Sequence, residues 1–186
     1  MEDTIVAYHY SNPIAFQSMR NGRTYRKVGL IPIQRFIRLG NENGLPGEAY
    51  EGIINGLLEP EPKSWTENPE FSNLWRYLMS DICRKEEEVM LLSFQLKPED
   101  KAYVVERAHI ERELYKESKG HGESTKETIN KACREYWESR VPVFEYSGSY
   151  SVPQLAIWSG IEFERLKVEW IKPSEELWER VINNHW

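Results

Sequence analysis

Residues 88–96 read EVMLLSFQL, and the organisation of the chain follows from how that stretch is read. A strand with one face on water alternates apolar and polar side chains. This run is apolar at both parities, so it needs cover on both faces. It is short for a helix and is bounded by Glu86-Glu87-Glu88, a solvated acidic turn, and by Pro98-Glu99-Asp100-Lys101, a second turn. The reading is a central strand followed by a second strand, AYVVE, at 102–106.

Working outward, Phe71, Leu74, Trp75, Leu78 and Ile82 recur at three- and four-residue spacing and predict a helix over 71–83. A charged helix is expected over 107–117. Ser124 and Glu127 form an S-x-x-E capping box, and the helix behind it carries Ile129, Ala132, Cys133, Tyr136 and Trp137 on one face. The C-terminal third reads as strands at 141–146, 153–158 and 166–171. A last helix begins near Ser174, with Leu177, Trp178, Val181 and Ile182 inward.

Toward the N-terminus, TIVAYHY (4–10) is β-branched and aromatic and reads as a strand. Asn12-Pro13 then offers an N-cap and a first-turn proline for a short helix with Phe16 and Met19 inward, ended by Gly22. Segment 29–39 is apolar but broken by Pro32, as an edge strand would be. Residues 40–47 read as a loop and 49–58 as a short helix weakened by Gly52 and Gly56. The Pro-rich segment 59–70 suits no regular element. That segment and 118–123 are expected to be the most mobile parts. Strands at the start, middle and end, with helices between them, predict an α+β fold: one domain over 1–186, with a mixed or antiparallel sheet flanked by helices.

Composition narrows the function classes. With 40% hydrophobic and 29% charged residues, the chain can build a core and is not of disordered type. The seven Trp and ten Tyr belong first to that core, because each removes a large apolar area from water. The net charge of −6 argues against a broad nucleic-acid-binding surface, which needs a basic face. Arg20, Arg23, Arg26 and Lys27 form the one basic cluster, enough to meet a single phosphate group or to line a solvated loop. The two cysteines, Cys83 and Cys133, fall on apolar helix stripes and read as packing residues, so the expectation is a reducing, cytoplasmic setting. No apolar run approaches a membrane span, and no signal-peptide core opens the chain. The four histidines are scattered, so no metal site is expected. Phosphate-loop, dinucleotide-fingerprint, nucleophile-elbow and zinc-protease motifs are absent.

His9-Tyr10-Ser11 lies where the first strand meets its helix, a position at which ligands commonly approach a sheet. His9 reads equally as a core-facing strand histidine, and Ser11 as a helix cap. The order Y-H-Y-S, helix, glycine and an apolar GLIP segment resembles the opening of proteins with the ADP-ribosyltransferase-like fold, among them the tRNA 2′-phosphotransferases and the DNA-targeting toxins. Residues 141–186 resemble the closing strands of that family, and the middle of the chain is unmatched.

The resemblance implies an NAD- or ADP-ribose-binding protein in which NAD serves as substrate. Its ADP-ribose would go to a macromolecular acceptor that the sequence does not identify. His9 and Ser11 would orient the nicotinamide-side ribose, Arg20 or Arg23 would meet phosphate, and Tyr50 could stack on the nicotinamide ring, although core packing explains Tyr50 as well. One departure matters: the family's catalytic glutamate position is held by Gln154, which keeps hydrogen-bonding capacity but brings no negative charge. Glu145 and Glu162 are the acidic candidates nearby, and both read also as exposed carboxylates. The departure keeps open a non-catalytic nucleotide- or partner-binding module. A hydrolase using scattered carboxylates is a third class, without a positive feature.

Overall fold

A computed structural model of the chain describes residues 4–14, 16–17, 24–25, 54–68, 70–114, 122 and 125–183. It is an α+β fold of antiparallel sheets and helices. The strands are β1 (Val6–Ser11), β2 (Thr24–Tyr25), β3 (Ile54–Gly56), β4 (Glu88–Gln95), β5 (Ala102–Glu106), β6 (Val141–Pro142), β7 (Pro153–Ile157), β8 (Ile161–Glu162) and β9 (Lys167–Pro173). The helices are α1 (Lys63–Thr66), α2 (Ser72–Lys85), α3 (Ala108–Leu114), α4 (Lys126–Glu138) and α5 (Ser174–Ile182).

The 88–96 stretch is the centre of the first sheet, ordered β1-β4-β9. Because side chains alternate along a strand, β4 feeds two cores. Val89 and Leu91 pack with Trp75, Leu78, Met79 and Leu177, while Met90, Leu92 and Phe94 pack with Val104, Leu155 and Ile157. The second sheet runs β3-β7-β5-β6, and a short pair joins β2 to β8.

The two larger sheets meet at one backbone seam. Tyr8 N donates to the Leu57 carbonyl and Leu57 N to the Tyr8 carbonyl, each at 2.9 Å. Gly56 permits that approach: a Cβ there would lie 3.1 Å from Leu155 Cδ2 and 3.3 Å from the Tyr8 carbonyl oxygen.

Several local expectations give way to tertiary context. Segment 54–56 is a strand rather than part of a helix, because pairing with β7 supplies its backbone partners. The Pro-rich segment, expected to suit no regular element, contains the single turn α1, whose Trp65 is fully buried against Trp75. The cap of α4 is Thr125, whose side chain accepts the Thr128 amide at 3.2 Å, one residue past the expected Ser124. The strand foreseen over 141–146 stops at Pro142, and a 3-10 turn, Val143–Glu145, replaces the rest. Ser11 is the last residue of β1 rather than a helix cap. The helical residues begin at Pro13, with the Phe16 amide bonded to the Asn12 carbonyl at 3.0 Å. Met19, Gly22 and the whole of 26–53, including the expected edge strand, lie outside the described residues. No helix among the described residues is long and apolar enough to cross a membrane.

Candidate functional site

A cavity of about 230 Å³ opens at the seam. The end of β1 supplies His9 and Ser11, β3 supplies Asn55, and β7 supplies Gln154. Arg107, just beyond β5, and Trp65 of α1 complete its inner part, and Leu78, Asp81, Ile82 and Lys85 of α2 form another wall. His9, Ser11, Asn55, Arg107 and Gln154 are all buried.

The seam holds these groups through one asparagine. His9 Nδ1 donates to the Asn55 carbonyl at 2.6 Å, and Gln154 Nε2 donates to Asn55 Oδ1 at 2.6 Å. Tyr136 of α4 donates its hydroxyl to Gln154 Oε1 at 3.4 Å. A carbonyl only accepts, so His9 carries its proton on Nδ1, and Nε2 is the acceptor atom of the neutral ring. Burial lowers the His9 pKa to about 4 against the raising effect of the Asn55 carbonyl, so the ring is neutral near pH 7. Burial likewise raises the Tyr136 pKa, and that hydroxyl stays protonated as a donor.

Arg107 reaches the cavity because β5 ends beside β7. Val105 pairs with Gln154 and Glu106 with Pro153, and the Arg107 amide bonds the Val152 carbonyl at 3.0 Å. The Glu106 carboxylate clamps this corner by accepting the amides of Ser151 and Val152. The Arg107 carbonyl accepts the amides of Ile110 and Glu111 and so starts α3. The Arg107 side chain donates from Nε to Glu111 Oε1 at 2.5 Å, and its Cζ lies 5.6 Å from the Trp65 ring centroid. Trp65 is itself anchored by its indole N–H on the Pro153 carbonyl at 3.2 Å. At the α2 wall, Lys85 pairs with Asp81 at 2.8 Å.

Of the residues singled out in the sequence, His9, Ser11 and Gln154 wall the same cavity. Glu145 does not join them. It is exposed on the 3-10 turn that replaces the expected strand, and it faces a separate groove with Ser93, Phe144 and Glu169. Glu162 is exposed on β8, paired with Thr24. Arg20, Arg23 and Tyr50 lie outside the described residues. Among the described residues, no group of three or more His, Cys, Asp or Glu could hold a metal ion.

Sequence reasoning missed Asn55, Trp65 and Arg107. Asn55 was hidden in a segment of helical appearance and Trp65 in a proline-rich one. The Arg107–Glu111 spacing matches any helix-surface ion pair, and nothing local marks it as buried. Compared with the sequence patterns of protein families, with curated proteins and with solved structures, the chain matches none.

Proposed function

We propose that the seam cavity binds NAD or a related ADP-ribose compound in the manner of ADP-ribosyltransferase-like proteins. His9 and Ser11 then meet the nicotinamide-side ribose, and Gln154 stands at the ribose hydroxyl where that family carries its glutamate. The observation that supports this reading is the convergence of His9, Ser11 and Gln154, from opposite ends of the chain, on one concave wall. The chemistry is consistent with it. Neutral His9 offers Nε2 as acceptor for a hydroxyl, and Ser11 offers a hydroxyl of its own.

A second reading, a binding module that recognises a nucleotide or partner without catalysis, is favoured by the state of Gln154. Both ends of its amide are engaged, Nε2 on Asn55 and Oε1 by Tyr136. An uncharged group fixed in this way gives no stabilisation to a cation developing as nicotinamide leaves. Among the described residues the cavity's carboxylates, Asp81 and Glu86, come from α2 and its C-terminal end rather than from β1 or β7.

Thermal melting with millimolar NAD, ADP-ribose or nicotinamide tests the first reading. Tenfold excess over Kd adds about 1.4 kcal/mol, or roughly 3–5 °C for a chain of this size. Ser11→Ala should reduce the shift. Nicotinamide release then separates the two readings: absent or slow in the natural chain, and raised by Gln154→Glu if the geometry is catalytic. No shift with any of these ligands would sink the nucleotide reading.

A further inference from the structure

Arg107 is a wall residue for which the nucleotide reading has no task. Its side chain is 4% exposed and is held through Nε by Glu111. Nη1 lies on the guanidinium edge turned away from the Nε–H, and it is buried with no acceptor among the described residues. Ser11 Oγ, on the same cavity, is buried in the same state. A buried charged donor left unmet costs at least ~1–3 kcal/mol, so a fold retains one where something else satisfies it.

Charge decides what that acceptor is. The Glu111 carboxylate already matches the guanidinium, so the buried pair is neutral as a unit. Among the described residues the other charged walls are Lys85, Asp81 and Glu86, and Lys85 is paired with Asp81. A ligand carboxylate or phosphate on Nη1 would bring an extra negative charge into a buried site with no spare cation among its described walls, and it would face Glu111 across the same guanidinium. Desolvating such an ion costs several kcal/mol, whereas an uncharged carbonyl loses far less and still takes a charge-assisted hydrogen bond. The walls also favour a flat group, since Tyr8, Tyr10 and Trp65 line the space. A volume of about 230 Å³ is below the ~300–1,000 Å³ of pockets for drug-sized ligands, so one ring system fits and the rest of a larger ligand projects to the mouth.

We infer that the inner end of the cavity receives a flat, uncharged group bearing a carbonyl-type oxygen, to which Arg107 Nη1 donates. Arg107 thereby selects an uncharged acceptor over an anion, whether or not the whole ligand is a nucleotide.

Three ring probes of nearly equal shape test this: acetophenone with a neutral oxygen, isopropylbenzene with none, and benzoate with a charge. Affinities are read by saturation-transfer NMR on the intact chain. Acetophenone should bind about tenfold tighter than isopropylbenzene, the scale of one hydrogen bond to a charged donor, and benzoate should bind weakest. Arg107→Met alone strands Glu111 and could prevent folding, so the decisive variant is Arg107→Met with Glu111→Met, its fold checked by circular dichroism. In it the acetophenone advantage should vanish. Benzoate binding tightest would make this an anion site and overturn the inference. So would equal binding of acetophenone and isopropylbenzene, an acetophenone advantage that survives in the double variant, or no probe binding at millimolar concentration. The acetophenone preference without any response to NAD would reject the nucleotide reading alone.

Discussion

Two concavities among the described residues invite comparison, because each has an arginine beside a carboxylate. The larger, a groove of about 1030 Å³, is walled by Ser93, Gln95, Glu145, Arg165, Lys167 and Glu169. Its Arg165, Lys167 and Glu169 are closed on their neighbours. Arg165 donates from Nη1 to Asp100 at 3.0 Å and from Nη2 to the Gln95 carbonyl at 2.6 Å, while Asp100 also accepts the Lys97 amide at 2.9 Å. Partial burial opposes ionisation of Asp100, but Arg165 and the Lys97 amide outweigh it and hold the carboxyl below its ordinary range. The Ser93 hydroxyl and then the Lys167 ammonium do the same for Glu169. In the smaller seam cavity Arg107 has one bond to Glu111, and donors remain unmet. Size and readiness to bind are thus separate properties. The groove is wide and its arginine is satisfied, while the cavity is narrow and its arginine still has a hydrogen bond to give.

The largest expected effect tests whether the Arg107–Glu111 pair is buried as described. Arg107→Met should destabilise by about 3–5 kcal/mol in a denaturant melt, because it leaves a lone buried carboxylate. Adding Glu111→Met should recover most of that loss, since an apolar pair of similar volume is commonly neutral or better. A single variant that costs nothing would mean that the pair is hydrated.

Next comes His9. Its folded pKa, about 4, lies below the ordinary value of 6.5, so between these values the unfolded chain binds a proton that the folded chain does not. Stability therefore falls as pH drops through that window, by about 3 kcal/mol at most, and the His9 contribution is flat above pH 7. Comparing the natural chain with His9→Asn between pH 7 and 4.5 isolates this slope from the carboxylates, and equal slopes would show that His9 is not the source.

The smallest effect belongs to the groove. Arg165→Met should cost about 1–3 kcal/mol, because Asp100 keeps the Lys97 amide and can regain water as the groove opens. A loss as large as that of Arg107→Met would erase the distinction between the two concavities.

Legibility in the sequence followed the same division. The core strand, the helix over 71–83, the apolar face of α4 and the last helix were readable because burial imposes a period on the side chains. His9 and Ser11 were readable as candidates from their place at a strand end, and Gln154 only through a resemblance of short segments. Glu145 failed as a companion because a 3-10 turn carries it away from the seam. Asn55 and Arg107 were invisible, since a polar residue in a short segment has the same local signature whether water or another strand receives it.

The apolar pattern of the chain by itself determined an α+β fold with EVMLLSFQL at its centre, because a strand apolar on both faces has to be covered on both. Tertiary structure alone decided where the two sheets touch. The Tyr8–Leu57 backbone bonds, and the space left by Gly56, bring His9, Asn55 and Gln154 together. Those contacts join residues far apart in the chain, and hydrogen bonding at that range depends on geometry that no local periodicity encodes.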